Sequence, residues 1–299
     1  MNITAAVSHL SNRWLPSIDV WSYEIMALWV PIAVYWVQCT VFELLMRAEI
    51  PFFEKYRIHT SEERTKRNKV SFTRVLVMVA FQQTIQMMLG YMLMKPVDPK
   101  IKAYEDQVAL NHLTGQMLSI ITYFTNSPYA VQWASSLAWL TQWVAIPALK
   151  FLAGMVIMDT HQYILHRMAH QYTFLYKNFH SHHHRLYVPY AFGALYNHPV
   201  EGFCLDTVGG ALSFELTRMS PFLGMCFFTF SNLKTINDHC GYAFPWDPLN
   251  VCFGNNVVYH DIHHQPYGIK KNFSQPFFTF WDKLLGSHYD GPHKVTKSN

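Results

Sequence analysis

Ten histidines in the C-terminal half stand at spacings that suit metal ligation. His166 and His170 lie four apart, so a continuing helix puts them on one face. His180, His183 and His184 form an H-x-x-H-H run, and His260, His263 and His264 repeat it. On a helix the first histidine of such a run meets the other two at i+3 and i+4. Between the runs come His198, before Pro199, and His239, after Asp238. Imidazole suits iron, zinc, copper and nickel, and ten such ligands suit two ions at roughly five nitrogens each.

The chain has 17 histidines, 14 of them between His161 and His293. His161 precedes His166 by five residues, which at about 100° per residue turns it well away. It is expected to be structural or to support a ligand. His182, in the middle of its run, faces away from the metals. His288 and His293 read as solvated, and His9, His59 and His112 carry no expected role. A sequestering loop rich in histidine would be polar throughout, whereas Tyr, Phe and Leu interleave these runs. A ligating imidazole usually donates its other N–H to a carboxylate or carbonyl. Asp159, Glu201, Asp238 and Asp261 are near enough in sequence to accept it. Arg167 and Arg185 flank the runs and suit either a lipid headgroup or cytosolic positive charge.

These side chains need a scaffold, and the composition describes one. Hydrophobic residues make up 51% and charged residues 14% of 299, against about 25% charged in ordinary soluble domains. That excludes a disordered chain, a coiled coil and a charged tail protein. A net charge of +4 is too mild to argue for nucleic acid. The five cysteines include no C-x-x-C pair, so reduced thiols are expected. The first twenty residues lack a basic n-region and a cleavage site, so no cleaved signal peptide is expected. The C-terminal residues match no retention signal.

A spanning helix needs about 20 apolar residues. Ile25–Met46 holds one charge, Glu43, and Val75–Met94 and Tyr129–Leu149 hold none; the last resumes after Lys150 up to Met158. The stretch 207–233 differs. Glu215 and Arg218 can pair at i+3, and Ser220-Pro221 should break the helix, so a partial helical hairpin is expected there. Residues 51–74 hold seven basic and three acidic side chains, and 95–130 three of each. The positive-inside rule puts the first loop in the cytosol and the second across the membrane. The predicted fold is an all-α integral membrane protein with three spanning helices, the partial hairpin and a cytosolic histidine-rich di-metal cap. Its expected parts are an N-terminal membrane region, 1–130, and a catalytic domain, 131–299.

The motifs His166-Arg-Met-Ala-His170, His180 to His184, His198-Pro-Val-Glu201, Asp238-His239 and His260 to His264 resemble the fatty acid hydroxylase and sterol desaturase superfamily. The stretches Leu186 to Gly202, Leu233 to Tyr242, Tyr259 to Gln265 and Asn272 to Gly286 are similar to the sphinganine C4-hydroxylases of fungi and plants. The resemblance covers about residues 150–290 and matches the N-terminal region in hydrophobic layout alone. It implies two iron ions held by His166, His170, His180, His183, His184, His198, His239, His260, His263 and His264. It also implies O2, and electrons from NADPH through cytochrome b5 and its reductase. The expected location is the endoplasmic reticulum membrane, with the histidine cluster facing the cytosol.

The chemistry agrees with that resemblance. An unactivated methylene has no acidic proton and no leaving group, so redox metal and O2 must break its C–H bond while the protein places it. Zinc has no redox chemistry. The expected reaction is hydroxylation of C4 of sphinganine or dihydroceramide to phytosphingosine-type bases. Loss of a second hydrogen at the same site would give an alkene instead. Tyr187, Tyr190, Phe192 and Tyr196 could line an acyl path, or serve as core. The basic side chains Lys270, Lys271 and Lys283 could face anionic headgroups or cytochrome b5. A sterol C5-desaturase or C4-methyl oxidase would share the metal site. A metal transporter would need ionisable residues within the spans, and 75–94 and 129–149 have none. A zinc hydrolase would need an H-E-x-x-H-type base, which is absent.

Overall fold

The computed structural model describes residues 19–94 and 97–294. Residues 1–18, with His9, lie outside them, as does the end of the chain after Lys294. Among the described residues the structure is helical, with no strand beyond an isolated bridge between Arg57 and Tyr242.

Among the described residues three helices are long and apolar enough to cross a membrane: α1 (Tyr23–Ala48), α2 (Phe72–Leu93) and α4 (Ala130–Gln171). They match the three expected spans, with Met94 and Tyr129 falling just outside as helix caps. Ser22 and Ser71 cap α1 and α2, each hydroxyl accepting a backbone N–H three residues on. The fold adds a helix where the sequence was read as a loop: α3, Pro99–Phe124. Asp98 caps it and Pro99 starts it, and its charged first turns hide an uncharged stretch from Gln107 onward. It packs back along the first part of α4, where Gln142 Nε2 donates to the Asp106 carbonyl at 2.8 Å.

Helix α4 holds 42 residues, including a π-helical turn at Thr141–Ala145. That is about 63 Å at 1.5 Å per residue, twice the roughly 30 Å of a bilayer's hydrocarbon. A crossing takes about 20 residues. The remainder carries His166 and His170 beyond it.

The expected hairpin is α5 (Val208–Thr217) and α6 (Pro221–His239). The break falls at Arg218, with a left-handed φ of 52°, ahead of Ser220, which caps α6. Leaving the helix there turns Arg218 off the α5 face, and the expected pair with Glu215 does not form. Helix α6 runs past residue 233 and delivers His239 to the cap. The last long element is α7, Val257–His264.

Two apolar cores hold the assembly. One joins α1 and α2 to the segment 186–196 through Tyr35, Val75, Tyr190, Phe192, Tyr196 and Tyr242. Tyr190, Phe192 and Tyr196 therefore serve as core. The other joins α4, the hairpin and the C-terminal segment through Met155, Met158, Phe227 and Phe277. Each large apolar side chain buried this way contributes about 1.5–3 kcal/mol. Packing thus outweighs the few polar links, such as Tyr35 Oη to the Phe192 carbonyl at 2.8 Å. All five cysteines are free thiols.

Candidate metal centre

Among the described residues nine imidazoles gather in two groups. His166, His170, His180, His184 and His263 form one, and His183, His239, His260 and His264 form the other. Within each group the nitrogens lie within 4.8 Å of one another. Helix α4 supplies His166 and His170 from one face, as i,i+4 spacing requires. His180–Arg185 is a 3-10 turn rather than α-helix. His180 and His184 from this turn lie in the first group and His183 in the second. On α7, His260 and His264 face the second group and His263 the first.

His198 stands outside both groups. Its Nδ1 accepts the Val200 N–H at 3.2 Å as the cap of Pro199–Gly202, and its ring packs on Phe179 and His182. The H-P pairing that made it look like a ligand starts this short helix instead. His161 donates toward the Cys204 carbonyl at 2.8 Å and stays out of both groups.

Backbone carbonyls fix most of the rings. Nδ1 donates to Phe273 from His166 (2.7 Å), to Lys271 from His263 (2.7 Å), to Tyr196 from His183 (3.1 Å), to Leu186 from His264 (2.8 Å) and to Thr235 from His239 (2.8 Å). His180 donates its Nδ1 proton to Glu201. A neutral ring carries one N–H, so in these six the Nε2 atom is a bare lone pair. Yet His166 and His180 face each other Nε2 to Nε2 at 3.1 Å, and His183 and His264 do the same at 3.1 Å. Opposed lone pairs repel, and a cation between them removes the conflict. Burial and the neighbouring imidazoles push His184, His260, His263 and His264 well below the usual histidine value. Burial takes His180 down to about 3 and His183 to about 4. Protons are therefore poor candidates for that cation, and a metal ion fits the donor set.

Of the four candidate carboxylates, Glu201 bonds an imidazole of the groups. Asp159 accepts the backbone N–H groups of Phe277 (3.0 Å) and Phe278 (2.6 Å). Asp238 pairs with the buried Lys234. Asp261 accepts from His59 at 2.8 Å and His293 at 2.7 Å. His59 and His293 thus have work that their sequence positions did not reveal, tying the α1–α2 connection and the C-terminal segment to α7. Arg167 reaches Tyr163 Oη at 2.6 Å and the Leu285 carbonyl at 3.4 Å.

A cavity of about 30 Å³ touches both groups, through His180 on one side and His183, His239 and His260 on the other. Its remaining wall includes Gln162, Asn197, Glu201, Asp206 and Asp238. Asp206 was not singled out in the sequence. A lone carboxylate in the apolar run Phe203 to Leu212 is the signal that could have found it.

The fatty acid hydroxylase family model matches residues 151–287. The chain is 43% identical to a sphingolipid C4-hydroxylase of Schizosaccharomyces pombe, over 91% of this chain and 90% of that protein. It is 40% identical to sphinganine C4-monooxygenase 2 of Arabidopsis thaliana, over 92% and 91%. A very-long-chain aldehyde decarbonylase of Oryza sativa is also 40% identical, over 89% of each. No solved structure matches the chain.

Proposed function

The chain belongs to the fatty acid hydroxylase family, and on that premise we propose that it is a membrane monooxygenase acting on C4 of sphinganine or dihydroceramide. The observation that carries the reading is the pair of imidazole groups sharing one cavity, in a chain 43% identical to a sphingolipid C4-hydroxylase. His166, His170, His180, His184 and His263 would hold one iron ion, and His183, His239, His260 and His264 the other. The ions would supply O2 activation and the two-electron oxidation of the C–H bond.

The protein supplies the rest. The carbonyls of Phe273, Lys271, Tyr196, Leu186 and Thr235 hold five rings in one tautomer and orientation, so ligation needs no rearrangement. The buried cavity limits water at the reacting carbon. One atom of O2 enters the C–H bond and the other leaves as water, which consumes two electrons and two protons. NADPH supplies the electrons through its reductase and cytochrome b5. Lys270 and Lys283 are exposed beside the cap, where an acidic electron carrier can dock.

The cap lies against the basic loop 51–74: His59 bonds Asp261, and Arg67 bonds Gln265. The positive-inside rule supports the cytosolic face for both, with the endoplasmic reticulum as the membrane.

The test uses membranes from cells that lack their own C4-hydroxylase and express this chain. Labelled sphinganine or dihydroceramide is supplied with NADPH and O2. The expected product carries one more oxygen, at C4, and disappears with His263→Ala. Absence of any C4-hydroxylated base, with metal bound and cytochrome b5 present, refutes the assignment. Oxidation of a supplied methylsterol or fatty aldehyde instead would move it to those branches.

A further inference from the structure

The cavity beside the imidazole groups contains acceptors that metal ligation leaves unused. Asp206 sits in a π-helical turn, Phe203–Thr207, a local form that recurs at functional sites. Its Oδ2 accepts from Gln82 Nε2 on α2 at 3.1 Å, and its Oδ1 from Gln162 Nε2 on α4 at 3.4 Å. Asn197 lines the same wall. Two further features hold this arrangement. His161 ties down the turn at Cys204. Gly202 leaves room for Gln82, since a Cβ there would overlap the Gln82 amide. Glu201 gives one oxygen to His180, while its other oxygen, Oε2, is buried without a partner. A buried acceptor without a donor is costly, so a ligand bearing several N–H and O–H groups fits this wall.

Resting on the C4-hydroxylase reading, we propose that Asp206 and Glu201 Oε2 receive the C1–C3 head of the lipid and so set which carbon faces the metal pair. That head carries two hydroxyls and a nitrogen in both sphinganine and dihydroceramide. C4 is bonded to C3, so a head anchored in the same cavity brings C4 to the imidazole groups by covalent geometry alone. About 30 Å³ admits a few polar atoms and no acyl chain. The chain then extends toward the hairpin and the bilayer. Asp206 is here a positioning residue, and it acts on specificity.

The test compares the full-length wild type, D206N and D206A in membranes with reduced cytochrome b5. Three lipids are supplied: sphinganine, dihydroceramide and 1-deoxysphinganine, which lacks the C1 hydroxyl. Loss of a buried hydrogen bond corresponds to about 5- to 100-fold in affinity. D206A should raise KM for the first two lipids by that factor and bring their preference over the deoxy lipid toward one. The new hydroxyl should also spread to carbons beyond C4. D206N keeps the side chain's size and should show the same loss of preference more weakly, so it carries the test if D206A does not accumulate. Sphinganine should raise the melting temperature of the detergent-solubilised wild type more than that of either variant. An equal fall in turnover on all three lipids, with C4 specificity intact, overturns the proposal and leaves Asp206 as structural. A loss confined to sphinganine or to dihydroceramide identifies which lipid the site takes. A wild type that makes no C4-hydroxylated product overturns the underlying reading instead, before any variant is compared.

Discussion

Replacing Asp282 should release one metal and spare the other. Asp282 is fully buried on the C-terminal segment. Its carboxylate accepts Phe273 N–H at 3.0 Å, Ser274 N–H at 2.7 Å and the Tyr259 hydroxyl. That clamp shapes the strap 271–274, and the strap's carbonyls orient two rings of the first group, His166 through Phe273 and His263 through Lys271. The second group takes its carbonyls from Tyr196, Leu186 and Thr235, all elsewhere. D282A leaves three donors without an acceptor at about 1–3 kcal/mol each. Partial hydration should hold the total to roughly 3–6 kcal/mol, a large share of the 5–15 kcal/mol typical of a folded domain. Loss of an orienting partner weakens metal binding by about 10–100-fold, so two lost partners should cost the first group about 100-fold or more. The assay is metal titration of purified D282N and D282A in detergent. Wild type should bind two ions per chain, and the variants should keep one and hold the other weakly. Equal weakening of both sites, or of neither, would refute the clamp.

Four further outcomes follow from the same geometry. His183→Ala should abolish activity, whereas His182→Ala and His198→Ala should leave two ions bound, as metal analysis of the three variants will show. Gly268→Ala should unseat α7, because a Cβ there would meet the Ile262 carbonyl, a backbone atom with no room to move; a drop in melting temperature corresponding to at least about 2 kcal/mol checks it. The metal-free protein should lose stability as pH falls below 6.5. His180 and His183 stay neutral when folded, to about 3 and about 4, but protonate when unfolded, so each removes about 1.4 kcal/mol per pH unit until its folded value is reached. Thermal melts of the chelated protein between pH 7.5 and 5 test this, and a flat profile contradicts it. Charge reversal at Lys270 and Lys283 should slow turnover with reduced cytochrome b5 while leaving the metal content at two.

The sequence was most legible where chemistry repeats at fixed spacing. Nine of the ten expected ligands converge: eight because H-x-x-x-H and H-x-x-H-H impose short distances on any helical winding, and His239 because α6 ends at the cap. That held even where His180–Arg185 wound as a 3-10 turn. The three spans were legible because lipid demands long uncharged runs. Helix α3 was not, because its charged first turns mask the apolar remainder from a count of loop charges. His198 misled for a related reason, since His-Pro serves a helix start as readily as a metal. The partners of Asp261 were hidden because His59 and His293 lie 202 and 32 residues from it along the chain. Backbone carbonyls were invisible as ring-orienting groups, since every residue has one and its direction is set by tertiary structure alone.

The division of each H-x-x-H-H run between the groups ties the two groups together. His183 and His184 are chain neighbours in different groups, as are His263 and His264. The rings of His184 and His264 meet across the boundary with centroids 4.8 Å apart. Displacing either run as a body would therefore move side chains of both groups, whereas loss of one ring's carbonyl partner frees that ring alone. Insertion of one oxygen atom into a C–H bond needs two electrons beyond those of the substrate, and one redox metal held by each group would supply them. The shared cavity carries this coupling to the substrate, because His180 of one group and His183, His239 and His260 of the other line the same wall. A carbon placed there would face both groups, and on the reading proposed above the cavity's polar wall, with Asp206 and Glu201, would decide which carbon that is.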